Sequence, residues 1–224
     1  MRVAITRALP EAEATAARLR ALGAEPLVAP LLTIVACAYN TNVEGAQALL
    51  FTSINGVRAF PDVRGARDCI VLAVGDATAE AARAAGFANV RSADGDVAAL
   101  AALANATLEP SKGKLIHIAG AHLAGDLAGE LHAAGFIVER RIAYQAVAVT
   151  ALPAAFSTAP DAVLFYSARA AEAFLNLGAP GAEATIAACM SPGVAEKAAQ
   201  ARWKTLIVAP APREDALLAA LLQG

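Results

Sequence analysis

Leu49–Phe60 reads LLFTSINGVRAF, and Val163–Phe174 reads VLFYSARAAEAF. In each, an apolar run of strand type ends at a serine and gives way to a helical pattern closed by phenylalanine. The likeness spreads outward along the chain. VAITRALPEAEATAARLRALGAEP (Val3–Pro26) aligns without a gap on LIHIAGAHLAGDLAGELHAAGFIV (Leu115–Val138). With small shifts, IVLAVGDATAEAARAAGF (Ile70–Phe87) aligns on TIAACMSPGVAEKAAQAR (Thr185–Arg202). Ser53 and Ser167, Phe60 and Phe174, and Glu80 and Glu196 fall on matching places, so the chain reads as a duplicated unit.

Composition says what each unit is made of. Of 224 residues, 58% are hydrophobic and only 5% aromatic, so Ala, Val, Leu and Ile must build the core. Short apolar runs bounded by Gly, Pro, Asn or Asp predict strands at Val3–Thr6, Glu25–Ala29, Ala48–Thr52, Ile70–Val74, Asn89–Ser92, Leu115–Ala119, Phe136–Ala143, Ala162–Tyr166, Thr185–Cys189 and Thr205–Ala209. Between them, helical spacing predicts Glu11–Leu22, Thr78–Ala85, Asp126–Ala134, Ala168–Leu177, Val194–Ala201 and Glu214–Leu222. Continuous apolar strands alternating with amphipathic helices indicate α/β architecture with parallel sheets covered on both faces. After Pro30 and after Arg141 the chain runs LLTIVACAYN and IAYQAVAVT, extended and without helix signal. These two segments occupy matching places in the repeats and can pair as a ladder joining two units, with a ligand cleft between the sheets.

Charge and cysteine narrow the function classes. The formal charge is −2 and the cations are dispersed, which argues against a nucleic-acid surface. Cys37, Cys69 and Cys189 are odd in number and far apart, as expected of core residues in a reducing compartment. The charged N-terminal stretch and the lack of a long apolar run point to a cytoplasmic protein that does not enter a membrane. The stretch from Gly120 to Asp126 carries an acid where a phosphate loop needs lysine, and His117, His122 and His132 lack partners at metal-ligand spacing. Neither aligned serine has an evident histidine partner for covalent hydrolysis.

What remains is the strand-to-helix loops TSINGV, GDATA, YSARAA and SPGVA. Ligands of open α/β sheets gather at the carboxyl ends of strands, and helix starts offer unpaired N–H groups to anions. Ser53, Asn55, Thr78, Ser167 and Ser191 stand there, although each also suffices as a simple helix cap.

AITRALPEAEATAARLRALGAEPLVAPLLTI, LLFTSINGVRAF, VLAVGDATAEAARAAGF and ERRIAYQAV, in this order, resemble the uroporphyrinogen-III synthase family over essentially the whole chain. The resemblance implies two similar flavodoxin-like domains joined by a two-stranded β-ladder: residues 1–30 with 152–224, residues 43–140, and connecting strands at 31–42 and 141–151. It also implies a monomeric, cofactor-free lyase of heme biosynthesis. Such an enzyme closes hydroxymethylbilane, a linear tetrapyrrole, by loss of its hydroxyl, an azafulvenium cation and a spiro intermediate that inverts ring D. Residue by residue it places Arg7, Ser53, Asn55, Thr78 and Tyr144 on motif positions at the substrate cleft, and Ser167 holds the matching loop of the second repeat; Tyr144 and Tyr166 are the phenols near that cleft able to assist hydroxyl loss. The chain departs from the family at SPGVA, where Gly193 and Val194 replace hydroxyls, at Phe156, where no hydroxyl is offered, and at Ala119, where an arginine is common. A non-catalytic two-domain protein closing on a small anion is the alternative built from the same unit.

Overall fold

The computed structural model describes every residue except Asp62, Ala124 and Gly224. The chain divides into two compact units, Met1–Ile34 with Val147–Gly224, and Val35–Ala146.

The first unit holds strands β1 (Arg2–Ile5) and β2 (Glu25–Val28), with helix α1 (Glu11–Ala21) between them. Its remaining elements come from the C-terminal part of the sequence. They are β9 (Ala162–Phe165), α6 (Ala168–Asn176), β10 (Ile186–Cys189), α7 (Pro192–Ala198), β11 (Thr205–Val208) and α8 (Glu214–Leu222). The five strands lie parallel in the order β11-β10-β9-β1-β2. Strand alternation sorts their side chains between two cores. Ala4, Val163 and Phe165 pack with Phe174 and Ala195 of α6 and α7, whereas Val3, Ile5 and Leu164 pack with Leu19 and Leu217 of α1 and α8.

In the second unit β4 (Ala46–Phe51) is followed by α2 (Ile54–Arg58), β5 (Ile70–Ala73), α3 (Asp76–Ala85) and β6 (Asn89–Ser92). Then come α4 (Val97–Thr107), β7 (Lys114–Gly120), α5 (Leu127–Ala133) and β8 (Val138–Ala148); β3 (Leu32–Ala36) precedes β4, and the chain crosses the unit boundary within β3 and again near the end of β8. The sheet order is β3-β8-β7-β4-β5-β6. Ala48, Leu50 and Leu115 face Leu100, Leu127 and Leu131 of α4 and α5, and Leu49, Phe51, Ile116 and Ile118 face Val57 and Ala82 of α2 and α3. Both sheets are thus doubly covered, as their uninterrupted apolar strands require.

Three features differ from the sequence reading. The strand expected at Phe136–Ala143 and the extended segment after it form one strand, β8, because VERRIAYQAVA contains no Gly or Pro to end it. The sixth strand of that sheet is β3, which forms from the extended segment expected after Pro30. Helix α4 has no counterpart among the predicted helices, since VAALAALANAT is apolar around its whole circumference and shows no stripe. Helix α7 begins at Pro192, ahead of the expected Val194, because proline is suited to the first helical turn.

Buried Arg141 fastens the second unit. Its Nε meets Glu139 at 2.8 Å, and its Nη1 donates to the carbonyls of Asn40 and Asn42 at 2.8 and 2.7 Å, which pins the segment entering β4. Hydrogen bonds from Arg141 and Lys114 and their charges outweigh partial burial and hold the Glu139 carboxyl down at about 2.

Candidate functional site

In the second unit the chain leaves β4 toward β5 and β6, then returns through α4 to place β7 on the other side of β4. The order reverses there, so the loops after β4 and β7 diverge and open a crevice at the carboxyl ends of the strands. A cavity of about 510 Å³ occupies it, lined by Thr52 and Ser53 after β4, His117 and Gly120 of β7, His122 and Leu123 beyond it, the start of α4 at Asp96 and Val97, Leu127 and Glu130 of α5, and Tyr144.

Two polar pairs stand in this wall. Thr52 Oγ1 and His117 Nε2 are 3.1 Å apart, on strand positions whose alternation puts both on the α4/α5 side. The Ser53 and Tyr144 hydroxyls are 2.7 Å apart. Ser53 also accepts from Gly56 N at 3.2 Å, so one side chain caps α2 and fixes the phenol. Gly120 makes room for that phenol: a Cβ at this position would stand 2.8 Å from Tyr144 Cζ. The loop after β7 is held from behind by Arg140, which donates to the carbonyls of Gly120 and Ala121 at 2.8 Å each. Asp96 caps α4 by accepting from Ala99 N at 3.0 Å.

His117 is 1% exposed. Burial, with the Arg140 charge adding to it, drives its imidazole down to about 4, so the ring is neutral near pH 7. Its Nδ1 has no hydrogen-bond partner.

The corresponding crevice of the first unit, between the loops after β1 and β9, is occupied by protein. The Tyr166 hydroxyl donates to Glu214 Oε1 at 2.7 Å, and Thr15 Oγ1 donates to the same oxygen. Arg7 Nη1 reaches that oxygen at 3.2 Å, Arg18 Nη1 reaches Glu214 Oε2 at 2.5 Å, and the Arg7 guanidinium stands over the Tyr166 ring at 4.4 Å. Burial raises the Tyr166 phenol well above its ordinary range, and its hydrogen bond to Glu214 pushes the same way. Burial alone would raise Glu214; the hydrogen bonds from Thr15 and Tyr166 and the Arg7 and Arg18 charges overcome it and leave the carboxyl below its usual value.

The residues anticipated from sequence are thus dispersed. Ser53 and Tyr144 line the cavity, whereas Asn55 and Thr78 belong to α2 and α3 and do not. Ser167 caps α6 through Ala170 N at 3.2 Å, the same geometry as Ser53 on α2, and Ser191 makes no side-chain cap. Arg7 and Tyr166 face Glu214. Sequence reading missed Thr52, Asp96 and Gly120 and gave His117 no role beyond failing as a metal ligand. Its one signal was a lone histidine inside the apolar strand LIHIAG. Of the stretch Gly120–Asp126, Ala124 lies outside the described residues. Among those described, no group of three or more His, Cys, Asp or Glu side chains could hold a metal ion, and no helix is long and apolar enough to cross a membrane.

The family model for uroporphyrinogen-III synthase HemD matches residues 13–219. The chain belongs to the uroporphyrinogen-III synthase family. Uroporphyrinogen-III synthetase from Helicobacter pylori superimposes with a TM-score of 0.69 at 16% identity, covering 100% of this chain and 99% of the other. A mutant uroporphyrinogen III synthase from the extremely thermophilic bacterium Thermus thermophilus gives 0.57 at 19% identity, over 100% and 98%. At such identities these two structures speak for the fold. No curated protein matches the chain.

Proposed function

We propose that this chain converts hydroxymethylbilane to uroporphyrinogen III, with loss of water and inversion of ring D, as a cyclising hydro-lyase of heme biosynthesis. The observation that carries the reading is the uroporphyrinogen-III synthase family match over residues 13–219. The cavity at the carboxyl ends of β4 and β7 agrees with it, being an open site within the usual range for small-molecule pockets, about 300–1000 Å³.

Within that reading, Tyr144 is the group that assists hydroxyl loss. Breaking the carbon–oxygen bond leaves a cation on ring A and places negative charge on the departing oxygen, which a phenol O–H can meet by hydrogen bond or proton. Ser53 fixes the phenol's position. Tyr166 suits this task less well, because its hydroxyl is spent on Glu214. The other members of the proposed substrate set are Ser53, Asn55, Thr78 and Ser167 at helix starts, with Arg7 meeting a carboxylate of the substrate in exchange for Glu214. Ring closure then needs the chain ends held together, which is a matter of shape and field, so no redox group, metal or cofactor enters the scheme.

The finer architecture belongs to the same proposal. Reading the first unit in its own chain order, its sheet runs 2-1-3-4-5, the flavodoxin-like order. The spatial sequence β8-β7-β4-β5-β6 follows the same plan with the connection cut elsewhere, and β3 with β8 serve as the connecting strands. The domain limits proposed are 1–30 with 152–224 and 43–140, with connectors at 31–42 and 141–151, in a cytoplasmic monomer.

The test is to supply freshly made hydroxymethylbilane to the purified protein and resolve the oxidised porphyrin isomers. Dominant type III product without added cofactor supports the proposal. Type I product equal to the no-enzyme control would mean that the fold serves ligand binding alone.

A further inference from the structure

His117 is the odd group in the cavity wall. A neutral imidazole carries one N–H and one lone pair, and burying either without a partner costs free energy. Among the described residues only two buried side-chain polar atoms lack partners, His117 Nδ1 and Arg141 Nη2, and His117 is the one that lines the cavity. Its other nitrogen is engaged by Thr52 at 3.1 Å. The charged side chains among the described lining residues are Asp96 and Glu130, with no lysine or arginine. Such a wall suits a group that brings N–H donors rather than a carboxylate. The substrate of the reaction proposed above is a chain of pyrroles, each with a ring N–H.

We propose that His117 is a substrate-binding residue that hydrogen-bonds a pyrrole N–H of the tetrapyrrole in the cavity between the β4 and β7 loops, with Nε2–H donating to Thr52 and Nδ1 accepting from the ligand. This rests on the uroporphyrinogen-III synthase reading. The cavity thereby holds a ring of the substrate by its nitrogen and leaves the carboxylates to other parts of the protein.

The side-chain geometry of histidine supplies the test. Asparagine places a polar atom where Nδ1 stands, and glutamine places one where Nε2 stands. We expect His117→Gln, which keeps the Thr52 bond, to bind uroporphyrinogen III about three- to tenfold more weakly under anaerobic titration. His117→Asn should retain most of the wild-type affinity. A merely structural histidine, held only by Thr52, gives the reverse order. In 15N-histidine-labelled wild-type protein, the Nδ1 resonance of His117 should report an unprotonated nitrogen and move when uroporphyrinogen III is added. This second measurement stands even if a variant fails to fold. Wild-type affinity in His117→Gln, equal losses in both folded variants, or an unmoved Nδ1 resonance would overturn the inference. Type III product from wild type alongside any of these leaves the synthase reading intact, whereas type I product alone removes both.

Discussion

Thr52 and Tyr166 hold matching places in the repeat, each just ahead of a serine that caps the next helix, and around them the two units part company. In the first unit the tyrosine reaches into the crevice at the reversal of strand order and joins Glu214, Thr15, Arg7 and Arg18. In the second a threonine leaves the crevice open, and Leu127 and Glu130 stand where the gapless alignment puts Thr15 and Arg18. The same backbone plan yields a filled joint in one copy and a cavity of about 510 Å³ in the other. A doubly wound sheet guarantees a crevice, and the side chains at a few positions decide whether it is filled or open.

That contrast can be broken from either side. The largest effect on stability is expected at the filled joint. Glu214→Ala leaves the Tyr166 and Thr15 hydroxyls without their acceptor, whereas Arg7 and Arg18 still reach solvent, so chemical denaturation should show a loss of roughly 2–4 kcal/mol. A loss under about 1 kcal/mol would reduce the cluster to surface pairing of the ordinary kind. On the open side, Tyr144→Phe should lower turnover by about 10²- to 10³-fold with little change in thermal stability. Unaltered turnover would return the role to another group.

Acidification tests the neutral histidine. The folded state holds His117 at about 4 against an ordinary 6.5, so between these values the unfolded chain binds the extra proton. Stability should therefore be constant in this respect above 6.5 and fall as pH drops toward 4, by at most about 3 kcal/mol. His117→Asn should flatten that slope; an unchanged slope would assign it elsewhere. The smallest effect expected is Ser53→Ala, costing about 1 kcal/mol through the lost cap on α2 and a several-fold loss of turnover through a less ordered Tyr144. Equal turnover to wild type would show that the phenol is positioned by Gly120 packing alone.

Much of this architecture was legible in sequence because it depends on period and punctuation. The apolar runs from Ala48 and Ala162, bounded by turn residues, marked strands, and the paired serines marked identical caps on α2 and α6. Helix α4 escaped because its periodicity is erased by Ala and Leu on every side. The site was harder to read for a different reason. Ser53 and Tyr144 were found through motif likeness, but their 2.7 Å contact depends on a register irregularity between Ala119 and Gly120 that no local pattern signals. Arg7 and Tyr166 look like ligand groups along the chain, and only the fold brings Glu214, more than two hundred positions from Arg7, to meet them. His117 reads as a strand residue until its neighbours are known.

The most direct measurement is the isomer assay run on wild type and Thr52→Tyr together, because this substitution gives the open copy the residue of the filled one. We expect wild type to yield type III porphyrin and folded Thr52→Tyr to yield only the type I background. Type III product at the wild-type rate from the folded variant would contradict the account and place the reaction outside the β4/β7 cavity.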